Sequence, residues 1–270
     1  MSSMALKLVA VITMIVDHTG AILLHVPGYF DLSQMMRTVG RVAFPLFVFL
    51  IAEGMRKTSS RPKYLIWLGV FALISIIPFS LFTSVAWWGF AIPFNPLRWD
   101  IANVFFTLFL GAASIYVFDI ARVKFKDFAN GAPGIFLGLL APAAFGFLAW
   151  RIQSDYDLRG VLVIFAVYAA MLINDAIPVK KFAGEWVIPV LPLVIWAHIV
   201  YPPGLIGTTI GGPGLHHWAL AAAVAPLLIL LYDGTPGTAK LRGRAKILFY
   251  VFYPAHLLIL YAWSFYLRPR

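Results

Sequence analysis

Asp17 and His18 sit side by side near the middle of LVAVITMIVDHTGAILLHV, the run from Leu8 to Val26. That run is long enough to cross a bilayer, because about 20 apolar residues span the hydrocarbon core. An ionised carboxylate at that depth costs about 3 kcal/mol or more unless it has a partner. An imidazole beside it is a natural proton carrier near neutral pH. Helical neighbours point about 100° apart, so Asp17 and His18 need separate partners. Arg41 in MRTVGRVAFP, with Arg37 one turn earlier, offers the counter-charge for Asp17. A purely structural ion pair explains those residues as well as a functional one does. His256, in FYVFYPAHLLIL, lies roughly 15 Å along its helix, the same depth as His18, so the two can meet. Pro254 should loosen the backbone ladder beside it.

Further polar residues punctuate the apolar runs. Glu53 in FLIAEGMRK either pairs with the adjacent basic loop or stands at a substrate mouth. Asn103 opens NVFFTLFLG, where it caps a helix or holds a substrate carbonyl. Asp155, Asp157 and Arg159 in SDYDLRG fall at the predicted level of Arg37, Arg98 and Asp100. Together they frame a pocket or form a solvated charge cluster. His198, His216 and His217 fall at helix ends, and the histidines lack metal-site spacing. With no cysteine, thiolate nucleophiles and disulfides are excluded.

The elements that must position these residues are membrane helices. The 270-residue chain is 61% hydrophobic and only 12% charged, outside the range of soluble globules, near 45–50% and 25%. Long apolar runs recur without the alternation of a barrel strand. We expect an all-α, polytopic transmembrane bundle of about nine helices (8–10), as a single domain over residues 1–270. The expected helices are 8–26, 39–55, 64–82, 103–120, 133–151, 160–177, 187–200, 217–232 and 247–267. A net charge of +10 would suit nucleic acid, but the basic residues cluster in short alternate loops. By the positive-inside rule those loops face the cytoplasm, with the N-terminus inside a cell-membrane protein. The first helix lacks a cleavage signature and reads as retained. The loops 83–102 and 201–216, rich in Trp, Pro and Gly, read as folded over the outer mouth.

The ordered set LKLVAVITMIVDHTGAIL, RTVGRVAFPLFVFLIAEGM, KYLIWLGVFALISIIPFSLF, NVFFTLFLG, SDYDLRGVL and YDG followed by FYVFYPAHLLIL resembles the TraX family. That family is named for a conjugal-transfer protein linked to N-terminal acetylation of the F-type pilin subunit. The resemblance covers most of the chain and implies an integral-membrane acyltransferase. Acetyl-CoA or a similar acyl-CoA would be the cytoplasmic donor, without a metal. The acceptor would be a protein N-terminus, a sugar or a lipid reached from the membrane or outer face. The residues matching the family's motifs are Asp17, His18, Arg41, Glu53, Asn103 and His256. DYDLRG and YDG depart from the DYG and YNG expected there.

Thioester acyl transfer needs a base for the acceptor's proton and a donor for the carbonyl oxygen. His18 suits the base, Asn103 or His256 the donor, and the basic loops the coenzyme A phosphates. Transfer is direct or passes through an acyl-histidine. The rival from another class is a proton-coupled transporter or channel using the same Asp, His and Arg residues. A third reading makes the protein a structural partner of an export machine.

Overall fold

The computed structural model describes residues 1–86, 103–128, 131–177, 185–200, 215–237 and 242–267, without the side chains of 200, 215–220 and 242–246. Among the described residues eleven α-helices follow in order: α1 Ser3–Leu23, α2 Phe30–Gly40, α3 Ala43–Lys57, α4 Arg61–Ile74, α5 Ile76–Ala86, α6 Val104–Lys124, α7 Ala132–Arg151, α8 Asp157–Ala176, α9 Val187–Val200, α10 Leu215–Leu230 and α11 Arg242–Ser264.

The all-α class and the membrane-helix character agree with the sequence. Among the described residues, six helical segments are long and apolar enough to cross a membrane, or seven if the bent α4–α5 pair is one span. Two shorter apolar helices, Val187–Ile199 and Ala221–Leu230, occupy the remaining expected positions. The expected nine is therefore loose as a count of full-length spans. The outward side chains are large and apolar, among them Ile66, Leu73, Phe136, Phe147 and Ile259. Lipid accepts such a surface and water does not. The chain is a multi-pass membrane protein.

Two expected helices are broken, for different physical reasons. In the run expected at 39–55, Arg41 and Val42 donate their backbone N–H groups to Thr38 and Val39, a tight i−3 pattern, at 3.2 and 3.3 Å. Arg41 Nε meanwhile donates to the Arg37 carbonyl at 3.0 Å. The side chain thus takes the carbonyl that the helix would have used, and α2 ends where α3 begins. In the run expected at 64–82, α4 stops at Ile74 and α5 departs at 49°. Pro78 lies four residues beyond Ile74, and a proline ring clashes with the carbonyl four residues before it while donating no N–H. Pro254, by contrast, is carried inside a continuous α11.

Helix α3 is the hub. Its side chains are buried on nearly every face, and it packs against α1, α6, α8 and α10. Phe49, Leu46, Leu6, Ile115, Ile164, Met171 and Leu193 are almost wholly enclosed around it. Lys7 lies over the Phe249 ring at 5.9 Å, and His18 reaches His256 further along, so α1 and α11 run side by side in the same direction.

Candidate functional site

His18 and His256 meet where α1 faces α11. His18 stands fifteen residues after Ser3 and His256 fourteen after Arg242, both ~21–23 Å along their helices at 1.5 Å per residue. His18 Nδ1 and His256 Nε2 are 2.8 Å apart. The ring planes differ by 5° and the centroids are 5.1 Å apart. The centroid spacing exceeds the N···N distance by about two ring radii, so the rings lie edge to edge in one plane. A hydrogen bond between them is nearly linear.

The remaining bonds assign the protons. His256 Nδ1 is 3.0 Å from the Phe252 carbonyl, which has no proton to give, so Nδ1 carries one. A neutral His256 then presents a lone pair at Nε2, and His18 Nδ1–H donates to it. A neutral His18 is left with its own lone pair at Nε2. That atom makes no hydrogen bond among the described residues. The chain of donors runs from His18 through His256 to a backbone carbonyl, leaving a free base at the His18 end. Phe82 of α5 packs against His18 with centroids 4.9 Å apart, and Phe252 stacks on His256 at 4.8 Å.

Asp17 turns the other way, as the helix geometry requires. It accepts a hydrogen bond from Arg41 and lies 4.0 Å from Arg37. Both partners hang from α2 or its end, which crosses α1 so closely that Gly40 touches Asp17. Ser33 ties the same crossing with a 2.7 Å bond to the Gly20 carbonyl. Asp155 lies within electrostatic reach of Arg41, Asp17 and Arg37. Burial pushes its carboxyl up to about 6, with the two arginines opposing and Asp17 adding to the rise. The turn holding it is strained: Gln153, Tyr156 and Asp157 have φ of 51°, 67° and 42°, each costing about 1–3 kcal/mol in a residue other than glycine. Tyr156 is fixed by stacking on Phe44 at 3.6 Å, and Thr107 donates to the Asp155 carbonyl.

Asn103 is occupied by the fold. Its Oδ1 accepts from the Phe105 N–H at 3.1 Å, capping α6, and its Nδ2 donates to the Ala72 carbonyl at 2.9 Å. The expected cap is present, and both ends of the amide are engaged by backbone in this arrangement. Glu53 stands far from the histidines, where it takes bonds from Lys57 at 2.7 Å and from Tyr232. Lys57 also reaches the Gly234 carbonyl at 2.8 Å. Asp119 binds Arg61 at 2.6 Å and Arg122 at 3.2 Å and accepts from Tyr168. Arg56 pairs with Asp175, and Asp157 with Arg159 at 2.9 Å. Arg98, Asp100 and nearly all of the two expected outer loops lie outside the described residues, as do the side chains of His216 and His217.

The TraX protein family matches residues 2–264. The chain belongs to the TraX family. No curated protein and no solved structure matches it. Among this TraX-family chain's described residues, no group of three or more His, Asp or Glu converges as metal ligands. Sequence reasoning passed over Asp119, Tyr232 and Tyr253. Asp119 was readable as the one acidic residue in SIYVFDIARVK, whereas the two tyrosines sit where tyrosine usually just packs.

Proposed function

We propose that the protein is an integral-membrane acyltransferase that moves an acyl group, acetyl in the simplest case, from acyl-CoA to an acceptor amine or hydroxyl. The observation that carries this reading is the coplanar His18–His256 pair with its free lone pair at His18 Nε2. Such a group takes a proton from an acceptor, and the donor chain behind it stabilises the charge it gains. Asp17, held by Arg41 and Arg37 on the next turn, fixes α1 against α2 and keeps His18 in register.

The donor's phosphates fit the end of the bundle that gathers Arg56, Lys57, Arg61 and Arg122. Asp119 is shared by two arginines there, and Arg122 Nε is buried without a hydrogen-bond partner. A phosphate would meet the exposed part of the Arg122 side chain instead. Coenzyme A supplies an activated thioester; His18 supplies the base, and the membrane-embedded helices keep bulk water from competing with the acceptor. That basic end facing the cytoplasm, and residence in the cytoplasmic membrane, belong to the same proposal, with a protein N-terminus, sugar or lipid as acceptor.

The test is thioester cleavage by the purified protein in nanodiscs across acyl chain lengths, with His18→Ala as the control. Cleavage by wild type and its loss in the variant are expected. Absence of acyl-CoA binding and cleavage, together with proton flux in proteoliposomes, would instead favour a proton-coupled transporter.

A further inference from the structure

The acyltransferase reading needs a hydrogen-bond donor for the carbonyl oxygen, and the two residues expected to supply it are otherwise engaged. Asn103 Nδ2 is held on the Ala72 carbonyl. His256 accepts through Nε2 and donates through Nδ1 to Phe252. We propose that the Tyr253 hydroxyl is that donor and so a catalytic residue, an inference that rests on the acyltransferase reading above.

Tyr253 is only 3% exposed, and its buried Oη makes no hydrogen bond of full geometry; the one polar group it faces is the Val104 backbone N–H, itself a donor, so the hydroxyl's own proton has no acceptor. An unsatisfied buried hydroxyl costs about 1–3 kcal/mol. Phenylalanine would fill the same space without that cost, so packing alone does not call for tyrosine here. A donor kept unpaired beside a base is what a site needs when its acceptor arrives with the substrate.

Its surroundings match that task. Tyr253 precedes His256 by three residues and shares its face of α11. The ring centroids are 5.6 Å from His256 and 6.5 Å from His18, in both cases edge to face. The ring stands edge-on to Phe105 of α6 at 5.1 Å, and its hydroxyl approaches the backbone of Val104, the first residue of that helix. Helix α6 begins inside the bundle, with its cap residue Asn103 wholly buried. A helix N-terminus carries a partial positive charge, least screened when enclosed. The hydroxyl and the helix end therefore bring positive potential to one place, on a ring whose centroid is 6.5 Å from that of the His18 base. Asp155 adds an opposing charge nearby, itself offset by Arg41 and Arg37.

The step balances with these groups. His18 Nε2 takes the proton from the acceptor as its nitrogen or oxygen bonds to the thioester carbon. The carbonyl oxygen takes up the displaced electron pair, and Tyr253 O–H hydrogen-bonds to it without giving up its proton. When that pair returns, the C–S bond breaks, and the leaving thiolate receives the proton from His18. The net change is acyl-CoA plus H–X to acyl–X plus the free thiol.

Tyr253→Phe tests this in the full-length protein in nanodiscs, by three readouts: acyl-CoA thioester turnover, thermal unfolding, and the infrared carbonyl stretch of bound acetonyl-CoA, a ketone analogue that cannot be cleaved. The expected result is a 10²–10³-fold fall in kcat, on the order seen when one oxyanion donor is removed. KM should stay within about twofold, and the Tm should be unchanged or higher because an unsatisfied hydroxyl is gone. The carbonyl stretch should be lowered in wild type and restored toward its free value in the variant. Wild-type kcat in Tyr253→Phe, alongside an inactive His18→Ala, overturns the role of Tyr253 while leaving the acyltransferase reading intact. A fall in Tm with an unshifted carbonyl also overturns it, by showing that the hydroxyl serves folding. A wild-type protein that neither binds nor cleaves any acyl-CoA overturns both.

Discussion

Gly40 brings the α2 backbone directly against Asp17: a Cβ built on Gly40 would stand 2.1 Å from Asp17 Cβ. That close approach lets Arg41, the next residue, bend back and donate to the Asp17 carboxylate. The absence of one side chain and the presence of the ion pair are thus a single arrangement.

Gly40→Ala should therefore separate α1 from α2 and weaken the ion pair. Overpacking of this kind costs about 1–3 kcal/mol. A lowered Tm in thermal unfolding of the detergent-solubilised protein is the expected result, and a Tm equal to wild type would mean that the crossing relaxes freely.

The pair itself is expected to be costly to break and cheap to replace. Asp17→Asn or Arg41→Gln alone leaves an uncompensated charge beside Arg37 or Asp155, and losing one partner of a buried pair costs about 3–5 kcal/mol. The double variant Asp17→Leu with Arg41→Met should recover much of that loss. A double-mutant cycle with no coupling energy would show that the two residues do not interact in the folded protein.

How far these relationships were legible differs from residue to residue. The apolar runs gave the helices, because lipid demands apolar side chains over a full span. The division of Asp17 from His18 followed from 100° per residue, and the meeting of His18 with His256 from equal depth. The break after Gly40 was not legible, since it depends on a side chain of Arg41 competing for a carbonyl that only the folded geometry brings within reach. The bend after Ile74 was written in Pro78 and was readable. Asn103 stood open between cap and ligand because both readings use the same amide; the cap on α6 and the bond to Ala72 are what the fold adds. Tyr253 could not be singled out, because its distinguishing feature is a hydroxyl proton without an acceptor.

Asp155 predicts a pH dependence of stability. Burial raises its folded-state carboxyl from 3.8 to about 6. Between those values the folded protein holds a proton that the unfolded chain has released, so stability is full below about pH 4 and falls as pH rises through 6. Two units correspond to about 3 kcal/mol as an upper bound. Unfolding measured from pH 4 to 7 should show this decline in wild type, and Asp155→Asn should flatten it. An unchanged slope in the variant would assign the decline to another group.

The donor chain through the two histidines gives the sharpest contrast between variants. His18→Ala removes the base itself and should lower thioester turnover by about 10²–10⁴-fold, the usual contribution of a positioned base. His256→Ala keeps that base but leaves His18 Nδ1–H without its acceptor, so the ring loses both orientation and tautomer. His256→Gln restores an acceptor oxygen on nearly the same side-chain reach and should retain more activity than His256→Ala, while His18→Gln should not be rescued. Nitrogen NMR of labelled histidine checks the cause independently: wild type should show the proton of His18 on Nδ1, and His256→Ala a mixture of tautomers. Equal activity in His256→Ala and His256→Gln would mean that His18 acts without the second ring.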